Sequence, residues 1–218
     1  MDGTFVINLK ERTDRLHHIH NHFGAFGVGY KLWEASFNEQ GEVGLKETFK
    51  NIFKKCLKER ISPLVFEDDA FFLVHNFNDE YKKVMLDVPD CYHIVKFGAN
   101  LLSPVNKITE NVNLIKMSYA LHACKYSIKG MELILEVIDK SDEPIDVIIA
   151  KFIEPLGHCY VSSKMLVNQK PYKSSIFRFD PVKHSNFKYY QPENGVIRWD
   201  LLMNEMWERN TKHLKNTD

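Results

Sequence analysis

Glu67, Asp68 and Asp69 are three consecutive carboxylates set between two apolar runs, Leu64-Val65-Phe66 before them and Ala70-Phe71-Phe72 after. Adjacent like charges repel, and none of the three enters a core without a counter-charge. A turn placed only for solubility needs no such flanks. Carboxylates held at the tip of a buried strand suit a divalent cation, whose charge offsets their repulsion through hard oxygen ligation. A second charged stretch, Lys10-Glu11-Arg12-Thr13-Asp14-Arg15, follows another short apolar run. Guanidinium forks and backbone N–H groups at a helix start hold phosphates well, and Arg12 and Arg15 are the candidates. The competing reading of this stretch is a solvated helix surface, with Glu11 and Arg15 paired at i, i+4 spacing. Asp146 follows Pro144-Ile145 at another helix start, where first-turn N–H groups favour a carboxylate, whether for chemistry or as a cap.

These residues need elements to position them. Residues 4–9 read as a buried strand, and Leu16, Ile19 and Phe23 as the apolar face of a helix that Gly24, Gly27 and Gly29 end. A strand is expected over 30–37. The clearest helix is 44–60, with Leu45, Phe49, Ile52, Phe53, Cys56 and Leu57 in one stripe. Pro63 opens the strand that ends in the acidic triplet. A helix follows over 76–86, then strands over 91–97, 112–117 and 119–126. Ser127 is a fair N-cap for a helix carrying Ile128, Met131, Ile134, Leu135 and Ile138, and Pro144 opens a further helix over 145–152. Alternating strands and helices predict an α/β single domain over 1–218, with a mainly parallel central sheet flanked by helices. Ligands in such sheets bind beyond the carboxyl ends of the strands. The cationic and anionic stretches both fall at such ends. Residues 170–195 show little periodicity and read as an irregular segment, a candidate lid. A C-terminal helix is expected over 196–216.

Composition narrows the function. Lys+Arg and Asp+Glu balance at 29 each, which argues against general nucleic-acid binding. Cys56, Cys91, Cys124 and Cys159 form no CxxC pair, so free buried thiols in a reducing compartment are expected. No run reaches a membrane span, and the N-terminus reads as a strand rather than a signal peptide, which predicts a cytoplasmic protein without a transmembrane segment. His17, His18, His20 and His22 share one charged helix and read as a solvated face. His122, His158 and His184 are lone histidines and read as surface or satisfied core residues.

In order along the chain, several segments resemble glycosyltransferase family 25, the lipooligosaccharide and procollagen galactosyltransferase-like enzymes. Val6 to Arg15 resembles the family opening InLxxRxDR, and Trp33-Glu34-Ala35 its second strand end. Leu64 to Ala70 resembles lIlEDDa, Ile94 to Gly98 resembles diikLG, and Tyr119 to Gly130 resembles aYiiskkgA. Pro144 to Val147 resembles piDv, and Gln169 with Ser174 or Ser175 the terminal Q and S. The similarity spans about residues 4–176. Two departures stand out. Thr48-Phe49 takes the place of a Ser-His pair, and Leu121-His122 that of a Tyr and an aliphatic residue.

The resemblance implies a GT-A fold with a Rossmann-like nucleotide-binding half. It also implies a metal-dependent, inverting transfer of a hexose, galactose or glucose, from a nucleotide-diphosphate sugar, UDP by preference. The acceptor is a hydroxyl on a glycan, glycolipid or hydroxylated protein. Asp69 and Glu67 become ligands of Mn²⁺ or Mg²⁺, with His184 or His158 as candidates to add to the cation's shell. Asp68, Arg12 and Arg15 contact the donor. Asn8 orients the base or caps the following helix, and Glu34 contacts the ribose or ends its strand in solvent. Asp146 becomes the base that deprotonates the acceptor. The rival readings are a nucleotidyltransferase, whose usual glycine-rich phosphate loop is missing between Asn8 and Arg15, and a non-catalytic nucleotide-sugar-binding module.

Overall fold

The computed structural model describes residues 3–170 and the pairing of Tyr190–Gln191 with Val196–Ile197. The chain begins β1 (Thr4–Asn8), α1 (Thr13–Ala25), β2 (Lys31–Glu34), α2 (Gly41–Glu59) and β3 (Leu64–Glu67). It continues through β4 (Ala70–Phe72), α3 (Phe77–Asp87), β5 (Ile94–Lys96), β6 (Asn100–Leu101), β7 (Asn106–Lys107) and β8 (Val112–Leu114). Then come β9 (Ser118–Tyr119), β10 (Ala123–Tyr126), α4 (Ile128–Val137), α5 (Ile145–Phe152), a 3-10 turn at Glu154–Leu156, β11 (Cys159–Ser162) and β12 (Val167–Gln169).

Eight strands form the central sheet in the order β2-β1-β3-β10-β5-β11-β8-β7. Six point the same way, and β10 and β8 run against them. The expected α/β architecture with a mostly parallel sheet is therefore present. Strand alternation divides the core into two layers. Phe5, Ile7 and Val65 face one layer with Phe49, Ile52 and Phe53 of α2, Met131 and Ile134 of α4, and Ile148 and Ile149 of α5. Val6, Leu64 and Phe66 face the other, with Ile19 and Phe23 of α1 and Phe77 and Val84 of α3. Aromatic edges meet faces there, as between Phe23 and Phe66 at 5.2 Å. Among the described residues no helix is long and apolar enough to cross a membrane.

Several boundaries differ from the sequence reading. Helix α2 starts at Gly41 rather than residue 44. Gly44 is a close-approach residue inside it, where a Cβ would lie 2.5 Å from the Ser36 carbonyl. Thr48 fastens the same corner, accepting from the Ser36 N–H at 2.8 Å and donating to the Gly44 carbonyl at 2.7 Å. Strand β2 is shorter than the apolar run because it is an edge strand with β1 as its sheet neighbour. The expected strand over 119–126 breaks at Ala120, whose φ of 73° turns the chain between β9 and β10. The Ser127 hydroxyl caps α4, accepting from the Gly130 N–H at 3.0 Å. The histidine face of α1 is only half solvated. His17 and His20 are exposed, whereas His18 is buried with Nε2 3.1 Å from the Ala70 carbonyl, and His22 accepts the Phe72 N–H at 2.8 Å. Cys56, Cys124 and Cys159 are buried free thiols, but Cys91 is exposed. The candidate lid at 170–195 and the helix at 196–216 fall almost wholly outside the described residues, but Val196–Ile197 is a strand, so no helix begins there.

Gly98 joins the central sheet to β12. A Cβ there would run into the Val167 carbonyl and lie 2.5 Å from His122 Nε2. Gly98→Ala is expected to destabilise the fold by about 1–3 kcal/mol, as overpacking does, measured by urea denaturation.

Candidate active site

The site is built where β1 and β3 lie side by side in parallel, with Ile7 opposite Glu67. The chain leaves β1 toward α1 on one face of the sheet and returns to β3 through α2 on the other. β2 and β3 flank β1 on opposite sides, so the strand order reverses at this point and a crevice opens beyond the strand ends.

Alternation also splits the acidic triplet. Glu67 follows Val65 onto the face covered by α2, α4 and α5. Asp68 turns to the α1 face, where the buried Arg15 guanidinium bonds its Oδ1. The same Arg15 Nη1 lies 3.5 Å from Asp69 Oδ2. The nearby Gln169 amide favours the charged form of Asp69, and the Asp69 carbonyl accepts the Lys170 N–H at 2.7 Å. The other Asp69 oxygen, Oδ1, is buried with no hydrogen-bond partner. The β4–β12 pairing, with Gln169 opposite Ala70, brings those donors to the turn.

Electrostatics follow from this packing. Burial raises the Asp69 carboxyl to about 6, with Arg15 opposing and Asp68 adding to the rise. Burial raises Asp68 too, against the pull of Arg15. Glu67 keeps partial surface exposure, yet it is driven well above the usual carboxylate range by desolvation, then by Asp69, Asp68 and Asp146. Burial works against the charge on Arg15, and the three carboxylates overcome it, raising the group. Arg15 thus serves three carboxylates, Arg12 adds a further pull on Asp68, and Glu67, Asp68 and Asp69 all remain raised.

Asp146 sits in the first turn of α5, and its Oδ1 accepts the Val147 N–H at 2.9 Å. Its charge reaches Glu67 from the α5 side. Asn8 ends β1 in a buried position. Its Nδ2 donates to the Leu9 carbonyl at 2.8 Å, and its Oδ1 is buried without a partner. Arg12 stands at the N-cap of α1, which has no side-chain cap bond, so Asn8 does not cap that helix. Arg12 forks onto Asp14 at 2.9 and 2.8 Å, and this bond holds Asp14 down at about 2. Arg15, rather than Arg12, is therefore the cation embedded in the triplet. Glu34 ends β2 in an exposed position, opposite Asn8 on the same rim.

Other histidines stand apart from this chemistry. His122 is buried behind Glu67, and its carbonyl accepts the Glu67 N–H at 3.2 Å. Burial lowers its ring to about 4, and Nε2 lies 3.0 Å from the Val167 carbonyl. His158 precedes β11 at the opposite rim of the sheet, and His184 lies outside the described residues. Among the described residues no group of three or more His, Cys, Asp or Glu side chains is gathered as a metal cluster.

A buried ion pair supports the site from behind. Lys96 Nζ lies 2.9 Å from Glu154 Oε1, and both side chains are wholly inaccessible. Ser118 links them, accepting from Lys96 at 2.9 Å and donating to Glu154 at 2.7 Å. This network fixes β9, from which the strap through Ala120 leads to His122 and Glu67. The signal in the sequence is Lys96 itself, a charge inside Ile94-Val95-Lys96-Phe97 that a buried strand tolerates only with a counter-charge.

Comparison with models of known protein families and with curated proteins finds no match for this chain.

Well below pH 3.8, its ordinary value, Asp69 is neutral in folded and unfolded chains alike. Between pH 3.8 and about 6 the unfolded chain has lost a proton that the folded one keeps, so stability falls across that window and the loss is complete above it. At about 1.4 kcal/mol per pH unit, the rise from 3.8 to about 6 costs about 3 kcal/mol at neutral pH. Asp69→Asn is expected to raise the metal-free melting temperature at pH 7 by about 6–12 °C and to change it much less at pH 4. Thermal unfolding in chelator-treated buffer at both pH values checks this.

Proposed function

We propose that this chain is a glycosyltransferase of the GT-A type, similar to family 25. It moves a hexose, galactose or glucose, from a nucleotide-diphosphate sugar to an acceptor hydroxyl with inversion. The supporting observation is the meeting of Arg15, the split triplet and Asp146 at the β1–β3 crevice, with Asp146 near enough for its charge to raise Glu67.

The residues fit a divalent cation. Asp69 offers a buried oxygen with no partner, and Glu67 is raised by surrounding negative charge. Both conditions are relieved by Mn²⁺ or Mg²⁺, with Asp69 and Glu67 as its holders. When bound, the cation supplies charge neutralisation for the diphosphate leaving group. The chain's own residues do the rest. Arg15 pins Asp68 and Asp69 in place, and the N-terminal turn of α1 favours the donor's negative charge. Asn8 turns its unpartnered Oδ1 to the nucleotide, and Glu34 stands at the same rim for the ribose. Asp146 has one oxygen fixed by the Val147 N–H and uses the other to take the proton of the acceptor hydroxyl. The acceptor is a glycan, a glycolipid or a hydroxylated protein.

Arg15 inside the triplet favours one second reading, a module that binds the nucleotide sugar without a cation because the guanidinium already supplies positive charge. A thermal-shift comparison separates the two. UDP with Mn²⁺, at about 100 times its dissociation constant, is expected to add about 2.7 kcal/mol, and chelator is expected to abolish the shift. Equal stabilisation by UDP in chelator supports the cation-free module. Release of pyrophosphate from a nucleoside triphosphate points to a nucleotidyltransferase.

Asp146→Asn tests the base. It is expected to leave the UDP–Mn²⁺ shift intact while lowering sugar transfer by about 100-fold or more, followed by mass spectrometry of donor and product. Unimpaired transfer removes Asp146 from the mechanism.

A further inference from the structure

The sheet rim opposite the candidate active site carries chemistry of its own. Cys91 lies in the loop between α3 and β5, with an exposed thiol. Its Sγ is 3.4 Å from His158 Nδ1. His158 stands immediately before β11, the parallel neighbour of β5. The two loops are locked together, because the His93 N–H donates to the His158 carbonyl at 2.7 Å. The His93 ring packs at 4.8 Å from the His158 ring, is only 8% exposed, and has an Nδ1 that is buried without a partner. A nucleophile and a base within reach of it are thus assembled at one point, with the base held in place by the backbone bond and by packing against the His93 ring.

We propose that Cys91 is a thiol–disulfide exchange site for low-molecular-weight disulfides, with His158 as the base that takes its proton. The Cys91 sulfur attacks one sulfur of the disulfide, and the S–H proton passes to His158 Nδ1. The S–S bond breaks and its electron pair leaves with the second sulfur as a thiolate. That thiolate is protonated to the free thiol, and Cys91 is left in a mixed disulfide. The incoming disulfide is the oxidant, so atoms and electrons balance.

The surroundings suit this step. His158 gains positive charge as the proton arrives, so a second positive charge on the ring packed against it would oppose the step. His93 is kept neutral, its ring lowered by burial, then by His158 and by Lys129 of α4. Tyr160 of β11 is another titratable group whose surroundings include Cys91. The remaining thiols cannot compete. Burial pushes Cys56 up to about 11 and Cys124 up to about 12, and raises Cys159 as well.

The test uses the whole protein and oxidised glutathione. Intact mass is expected to show one adduct, reversed by dithiothreitol, and peptide mapping is expected to place it on Cys91. Cys91→Ser removes it. At pH 7 the folded protein is expected to react about tenfold faster than the same protein unfolded in guanidinium, and His158→Gln to lose that advantage. At pH 9, where an ordinary thiol ionises unaided, the variant is expected to catch up. Far-ultraviolet circular dichroism verifies that the variant is folded. A first adduct on another cysteine, a folded rate no higher than the unfolded rate, or an undiminished rate in folded His158→Gln at pH 7 overturns the proposal.

Discussion

The ion pair between Arg15 and the turn after β3 is the contact on which the candidate site depends. It links a helix on one face of the sheet to carboxylates presented at the end of a strand. Without the guanidinium, Asp68 and Asp69 are two desolvated like charges on adjacent residues, a state that costs several kcal/mol. With it, their positions are fixed before any ligand arrives. The pairing remains incomplete, since burial and mutual repulsion still raise Glu67 and Asp69, and Asp69 Oδ1 is buried without a hydrogen-bond partner. A site that is rigid but under-neutralised is preorganised for a further positive charge or for a ligand that brings one.

Two supports keep this turn in place. In front, β12 lies against β4, sets Gln169 opposite Ala70 and delivers the Lys170 N–H to the Asp69 carbonyl. Behind, the Lys96–Ser118–Glu154 network fixes β9, and the strap beyond it receives the Glu67 N–H on the His122 carbonyl. Both supports come from segments far along the chain from Glu67. Gly98 lets the two approach each other, since His122 and Val167 leave no room for a side chain there.

Much of this was legible in the sequence because strand and helix periods are local properties. The acidic triplet, the strand before it and the helix faces of Phe49 and Phe53 all follow from spacing of two or of three and four. What spacing cannot convey is which charge meets which. Arg12 and Arg15 look alike in the sequence, but Asp14 engages Arg12 within its own turn, while Arg15, one helical turn on, reaches Asp68. The same limit hid the burial of His18 and the half-burial of His22, whose partners are carbonyl and N–H groups of β4. Gly44 read as a helix start because glycine is a poor helix former. Its reason for being there is the Ser36 backbone, a contact between segments. Cys91 and His158 are 67 residues apart, and only the β5–β11 pairing brings them together.

The reversed strand β10 has a bearing on how the molecule is made. It is wedged between β3 and β5, so the apolar edge formed by Leu64, Val65 and Phe66 gains its neighbour only when residues 123–126 exist. Strand β5 waits longer, for β11 at residues 159–162. During synthesis the β1–β2–β3 unit therefore carries an unpaired hydrophobic border for some sixty residues of chain growth. Such a border is a template for pairing with another chain. The nascent protein accordingly has a stretch of its life in which self-association, rather than loss of stability, is the hazard.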